Sequence, residues 1–182
     1  MMTGAYAKSN LGTLVKQVIS TRSFGLADFA PYAPSNNEPA AFIAQPIVHG
    51  NTIEVIVALQ LSLQSINAIM QQRQGMGETG ETYLVGKDKL MRSDSFLDPT
   101  HHSVQASFAH PQKGSVNTEA ANEALSGTNG RKIILDYNGN PVLSSYVPLK
   151  VGNTTWALIA EIDKAEAFAA VTTISWMRPI KS

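Results

Sequence analysis

The 182-residue chain has no cysteine, which excludes disulfides, thiolate metal centres and cysteine nucleophiles together. Charge is sparse as well. Fourteen basic and fourteen acidic side chains sum to zero, so no whole-molecule field draws in a polyanion, which disfavours nucleic acid as a partner, and none is expected. Long apolar runs are missing too: the most apolar tail, Ala167 to Met177, is roughly half of the about 20 residues that a membrane-crossing helix needs. The start, Met1 to Tyr6, has neither a basic n-region nor an apolar h-region and so is not a signal peptide; targeting information for an exported parent is expected upstream. Nucleophile-elbow, phosphate-loop and dinucleotide fingerprints are all absent, which leaves catalysis without residues and implies no cofactor.

What the chain does have is 43% apolar composition, enough for one substantial core or two modest ones, and an internal repeat. A shift of 102 residues aligns Pro46 with Pro148, Gly50-Asn51-Thr52 with Gly152-Asn153-Thr154, and Ala58 with Ala160. Gly and Asn recur because tight hairpin turns need residues that tolerate positive φ. Each copy reads as an apolar strand, a Gly-Asn turn, a second apolar strand and a helix. The strands are Ala40 to Val48 and Ile53 to Leu61, then Pro141 to Lys150 and Thr155 to Ile162. The helices are Ser65 to Met70 and a segment from about Lys164, where Asp163 and Glu166 have the spacing of a capping box.

Ahead of the hairpins stand a strand (Leu26 to Phe29; Arg131 to Tyr137) and, before it, a helical pattern (Leu11, Leu14, Val15, Val18; Thr118 to Leu125, closed by Gly127). Only the second copy has a further hairpin upstream, Glu81 to Val85 and Leu90 to Asp94 around Gly86-Lys87-Asp88-Lys89. The chain is therefore expected to begin inside a module. Three regions follow: a partial module over 1–74, a complete one over 75–165, and a terminal helix over 166–182.

Five antiparallel strands with helices inserted between the second and third are the layout of PAS-like modules, and the fold class is α+β. Gly75-Met76-Gly77-Glu78-Thr79-Gly80-Glu81-Thr82-Tyr83-Leu84-Val85-Gly86, followed by Leu90 to Ser95, resembles the linker and first hairpin of double Cache sensor domains in bacterial chemoreceptors and sensor histidine kinases. Asp28-Phe29-Ala30-Pro31-Tyr32 and Trp156 to Asp163 are similar to the same family. The resemblance implies a periplasmic, ligand-sensing region of a membrane-anchored receptor, with a small-molecule ligand, a helix that passes the signal toward the membrane, and a homodimer as one assembly. Its rival is a structural or interaction module that docks a periplasmic binding protein or dimerises the receptor.

Within the second module, Arg92 offers a planar fork of donors suited to a carboxylate or amino-acid ligand, against the plainer role of pairing with a neighbouring acid. Tyr83, Asp136, Ser144 and Tyr146 are candidates to complete that pocket, against ordinary hydrogen bonding within the sheet. The loop from Phe96 to Val116 is expected to cover its mouth. His101, His102 and His110 cluster in that loop, but without partners at the spacing of a metal motif, so no metal site is assigned.

Overall fold

A computed structural model describes residue 4 and residues 6–169. The chain opens with helix α1 (Asn10–Thr21), capped where Gly12 N–H donates to the Ser9 hydroxyl and closed by Arg22 in the left-handed region. Its Leu11, Leu14 and Val18 form one stripe and bury against Ala40, Phe42 and Ala44. Those residues belong to the first sheet, β1 (Gly25–Pro31), β2 (Pro39–His49) and β3 (Thr52–Gln60), antiparallel in the order β1-β2-β3. Helix α2 (Leu63–Met70) then leads to the linker.

The second sheet contains β4 (Glu81–Val85), β5 (Gly130–Leu135), β6 (Pro141–Val151) and β7 (Thr154–Asp163), in the order β4-β7-β6-β5. Between β4 and β5 lie four short helices: α3 (Pro99–His102), α4 (Val104–Ala109), α5 (Pro111–Gly114) and α6 (Glu119–Leu125). The expected long loop is thus mostly helical. Asp98, Ser103 and Thr118 accept the first free N–H groups of α3, α4 and α6, which accounts for where those helices start. Residues 164–169 are helical. The rest of the expected terminal helix, to residue 182, lies outside the described residues, and no described helix is long and apolar enough to cross a membrane.

The repeat is present in three dimensions. Gly50 and Gly152 sit at matching hairpin turns with φ of 57° and 59°, and α1 lies on its sheet as α6 lies on the other. One expectation fails: residues 90–94 form no strand, and only a single bridge joins Met91 to Val85, so the second sheet has four strands rather than five. Side chains have taken the places of ladder partners. Ser93 Oγ accepts from Leu84 N–H, Ser107 Oγ from Met91 N–H, and Asn67 Oδ1 from Asp94 N–H. A second expectation also changes. Glu166 does not close a capping box with Asp163; its carboxylate accepts from the backbone N–H groups of Glu78 and Thr79, both at 2.8 Å, and from the Thr79 hydroxyl. The terminal helical segment is therefore tied to the linker that precedes β4.

The two sheets share a core. Phe29 and Ala41, from the first sheet, are buried in the cluster formed by Tyr83, Val85, Met91, Val104, Val116, Ala120, Ile134, Trp156 and Ile159.

Candidate functional site

Strand alternation and register place Glu81, Tyr83 and Val85 of β4 on one face of the second sheet. Glu161, Ile159 and Ala157 of β7 and Ser144 and Tyr146 of β6 share it. Helices α3 to α6 cover this face. Along its apolar floor the pairing sets Glu81 directly opposite Glu161, and both residues are 4% exposed. Like charges directly opposed across a strand pair repel, and burial sharpens the repulsion.

The two carboxylates meet this differently. Glu81 is well solvated by protein: Ser95 Oγ donates to it at 2.7 Å, Phe96 N–H at 3.0 Å, and the Tyr137 hydroxyl to its other oxygen. Glu161 receives one well-formed bond, from the Tyr83 hydroxyl at 2.7 Å, and its Oε1 has no partner. Burial raises its pKa to about 7, aided by the charges of Asp136 and Glu81 and opposed by the Tyr83 bond and by Ser144. Ser144 Oγ stands across from Glu161, near enough to ease it, yet forms no hydrogen bond of good geometry. Burial, followed by the Glu161 carboxylate, pushes the Tyr83 phenol well above its ordinary range and keeps it a donor.

His102 completes the cluster. Its ring stacks on Tyr137 with centroids 4.0 Å apart, and Tyr137 in turn meets the edge of Tyr83 at 5.5 Å. Burial acts to raise the pKa of Asp98, but the His102 and His101 contacts outweigh it, and the carboxyl is held below its ordinary value. An ionised Asp98 only accepts, so Nδ1 of His102 donates to it at 3.0 Å. In the neutral ring Nε2 is then an acceptor, buried and unpartnered. Among the described residues, no lysine or arginine pairs with Glu81 or Glu161. Lys132, on the same face, is held by Glu119 and Glu123 at 2.7 and 2.5 Å. Two buried carboxylates, an unpartnered hydroxyl and an unpartnered imidazole nitrogen thus form a polar interior in which, among the described residues, no lysine or arginine compensates the carboxylates.

The five residues singled out in the sequence separate into different tasks. Tyr83 and Ser144 belong to this cluster. Tyr146 is on the same face, but its hydroxyl donates to Glu123. Asp136 shapes the turn before β6, accepting from Asn138 and Asn140 N–H at 2.8 Å each. The fork of Arg92, 2% exposed, is filled from within the chain. Nε and Nη2 donate to the two oxygens of Asp28 at 2.8 and 2.9 Å, and Nη2 also donates to Asp88 at 3.0 Å. Asp28 further accepts from the Trp156 indole at 3.1 Å, so this carboxylate joins the first module to the second. Among the histidines, His101 and His102 both turn to Asp98, while His110 closes α4. Glu81 and Glu161 were missed in the sequence, although a lone Glu among the apolar residues Trp156 to Ile162, on the inward side of the alternation, is a readable signal.

On the opposite face, Met76, Ile133, Leu143, Ser145, Ala160, Ile162 and Phe168 line an open apolar trough of about 600 Å³. Ser144, Glu161, Arg131 and Lys132 also border it.

No protein-family model matches the sequence, and a search of curated proteins finds no match. Solved structures do match. The periplasmic sensory domain of the Campylobacter jejuni chemoreceptor Tlp1 superposes with a TM-score of 0.60 at 16% identity, covering 93% of this chain and 57% of that one. The ligand-binding domain of the Pseudomonas aeruginosa amino acid chemoreceptor PctB, solved with L-Arg, gives 0.56 at 21% identity, covering 92% and 60%. That of Pseudomonas fluorescens CtaA, solved with L-leucine, gives 0.53 at 19%, covering 84% and 59%. The fold is therefore the α+β, PAS-like fold of double Cache sensory domains. The chain spans about three-fifths of the length of these neighbours.

Proposed function

We propose that this chain is part of the periplasmic ligand-sensing region of a membrane-anchored chemoreceptor or sensor kinase. In this reading its second module takes a small ligand bearing an ammonium group, an amino acid or an amine, and performs no catalysis. The observation that carries it is the pairing of Glu81 and Glu161 without a cation, beside the unpartnered acceptors Glu161 Oε1 and His102 Nε2. An ammonium group supplies three donors and the missing charge, and with them the buried anions no longer need a proton. The neighbours solved with L-Arg and L-leucine support an amino-acid ligand. Tyr83, Ser144, Glu161 and His102 would contact the ligand, with Glu81 and Tyr137 holding the frame. Arg92 would act in the joint between modules rather than on a ligand carboxylate.

Glu166, bound to the linker beside β4, offers a route by which a shift in that strand reaches the terminal helix. A ligand moves such an equilibrium only by its unequal affinity for the two arrangements. Calorimetric titration with amino acids, primary amines and matched carboxylates lacking the amine, at pH 6 and pH 8, tests the reading. Amine ligands should bind more tightly at pH 8, where Glu161 is ionised, and the Glu161→Gln variant should lose that gain. Absence of heat from every amine at pH 8 would sink it. The apolar trough favours a second reading, in which that face of the module docks a periplasmic binding protein.

A further inference from the structure

The buried face of the second sheet offers a ligand several acceptors and almost no donors. Glu81 lies opposite Glu161, and Glu161 opposite Ser144, so two carboxylates and a hydroxyl form one row across β4, β7 and β6. The other hydroxyls beside that row are already committed: Tyr83 donates to Glu161, while Ser95 and Tyr137 donate to Glu81. Glu161 Oε1 and His102 Nε2 are buried without a partner. With His102 neutral, the Ser144 hydroxyl is, among the described residues, the one unpartnered buried side chain that has a proton to donate.

The nearby cations are committed as well. Arg92 directs Nε and Nη2 at Asp28 and Asp88, and Nη1 at the Leu90 carbonyl. Lys132, opposite Ser144 in register, is held by Glu119 and Glu123. Arg131 pairs with Ser145 and so stands on the other face of the sheet. Lys89 follows the far end of β4, where it donates to Asn122, and the strand alone sets that end about 13 Å from Glu81.

An α-amino acid cannot separate its two charges over such a span, because its carboxyl carbon lies about 2.5 Å from its amino nitrogen. With the ammonium group on Glu161, the carboxylate would join the same row as a third anion, with one neutral hydroxyl to receive it. Nothing there offsets its lost hydration. We infer that this site takes a primary amine without an adjacent carboxylate and rejects the α-amino acid bearing the same side chain, an inference that rests on the ammonium-binding reading above. The apolar residues Val85, Met91, Val104, Val116 and Ile159, packed in the same core, suit the hydrocarbon part of such an amine.

Calorimetric titration of the full chain at pH 8 with matched sets tests this: isoamylamine, leucinol and L-leucine; phenethylamine, phenylalaninol and L-phenylalanine; agmatine, argininol and L-arginine. The alcohols keep the bulk of the amino acid without its negative charge. In a set that binds, amine and alcohol should agree within about tenfold, and the amino acid should bind at least about a hundredfold more weakly. Glu161→Gln, which removes one of the opposing charges, should narrow that gap by about tenfold or more. An amino acid that binds within about tenfold of its amine overturns the inference and leaves the ammonium-binding reading in place. An alcohol as weak as its amino acid, or a gap unchanged in the variant, overturns it too, since bulk and not charge would then exclude the ligand. No heat from any of the amines removes the reading and the inference together.

Discussion

Replacing Glu161 with Gln separates the role of this carboxylate from everything else in the second module. The carboxyl ionises at about 7 in the folded chain against an ordinary 4.5, because it is buried opposite Glu81. A folded-state pKa above the unfolded one means that the native state holds the proton more tightly. The stabilisation linked to that proton is complete below about pH 4.5 and is lost as pH rises through about 7. At about 1.4 kcal/mol per unit of pH, the difference amounts to about 3 kcal/mol by pH 8, a large fraction of a small protein's stability. Glutamine keeps an oxygen for the Tyr83 hydroxyl and adds an amide that can donate to Ser144 Oγ, but carries no charge to desolvate. Urea unfolding of both proteins from pH 5 to pH 8 gives the measurement. The variant should match the wild type near pH 5 and exceed it by up to about 3 kcal/mol at pH 8, and the difference between the curves removes all other titrating groups. Parallel curves would refute the assignment of a buried, strained carboxylate at this position.

Arg92→Met leaves Asp28, whose side chain is 25% exposed, without its bidentate partner, and unfolding in urea should show a loss of about 1–3 kcal/mol; Arg92→Lys, which keeps the charge but not the fork, should recover only part of it. Gly77 has φ of +66° and a Cβ there would overlap the Glu166 carboxylate, so Gly77→Ala should destabilise by about 1–2 kcal/mol and speed hydrogen exchange at the Glu78 and Thr79 amides. Ser107 Oγ accepts from Met91 N–H and donates to Gly114 O at 2.7 Å while fully buried. Ser107→Ala should cost about 1–3 kcal/mol and open residues 96–116 to limited proteolysis before the sheets are cut.

Much of the fold could be read from the chain because its punctuation carries backbone geometry. The Gly-Asn pairs at 50–51 and 152–153 fall where a hairpin needs positive φ, and no tertiary contact is required to see them. Likewise α1 and α6 follow from local periodicity and caps. The fifth strand of the second sheet was misjudged because alternation over Leu90 to Asp94 says nothing of Ser107 and Asn67, whose side chains bind its backbone from 16 and 27 residues away. The candidate site was half legible for the same reason. Tyr83 and Ser144 could be named as pocket candidates from their strands, but the fork of Arg92 is filled by Asp28, 64 residues earlier, and only the folded chain shows that this carboxylate is its own.

Asp28 also bears on how the molecule comes apart. It binds Arg92 and the Trp156 indole at once, and Phe29 beside it is buried in the core of the second sheet. A fragment starting at the linker would leave Arg92 with Asp88 as its one carboxylate partner of the two and open a hole where Phe29 had been. The sheets mark two modules, but heat or denaturant should meet a single transition, because the line between the repeats is an outline in the architecture and not a seam in its cooperativity.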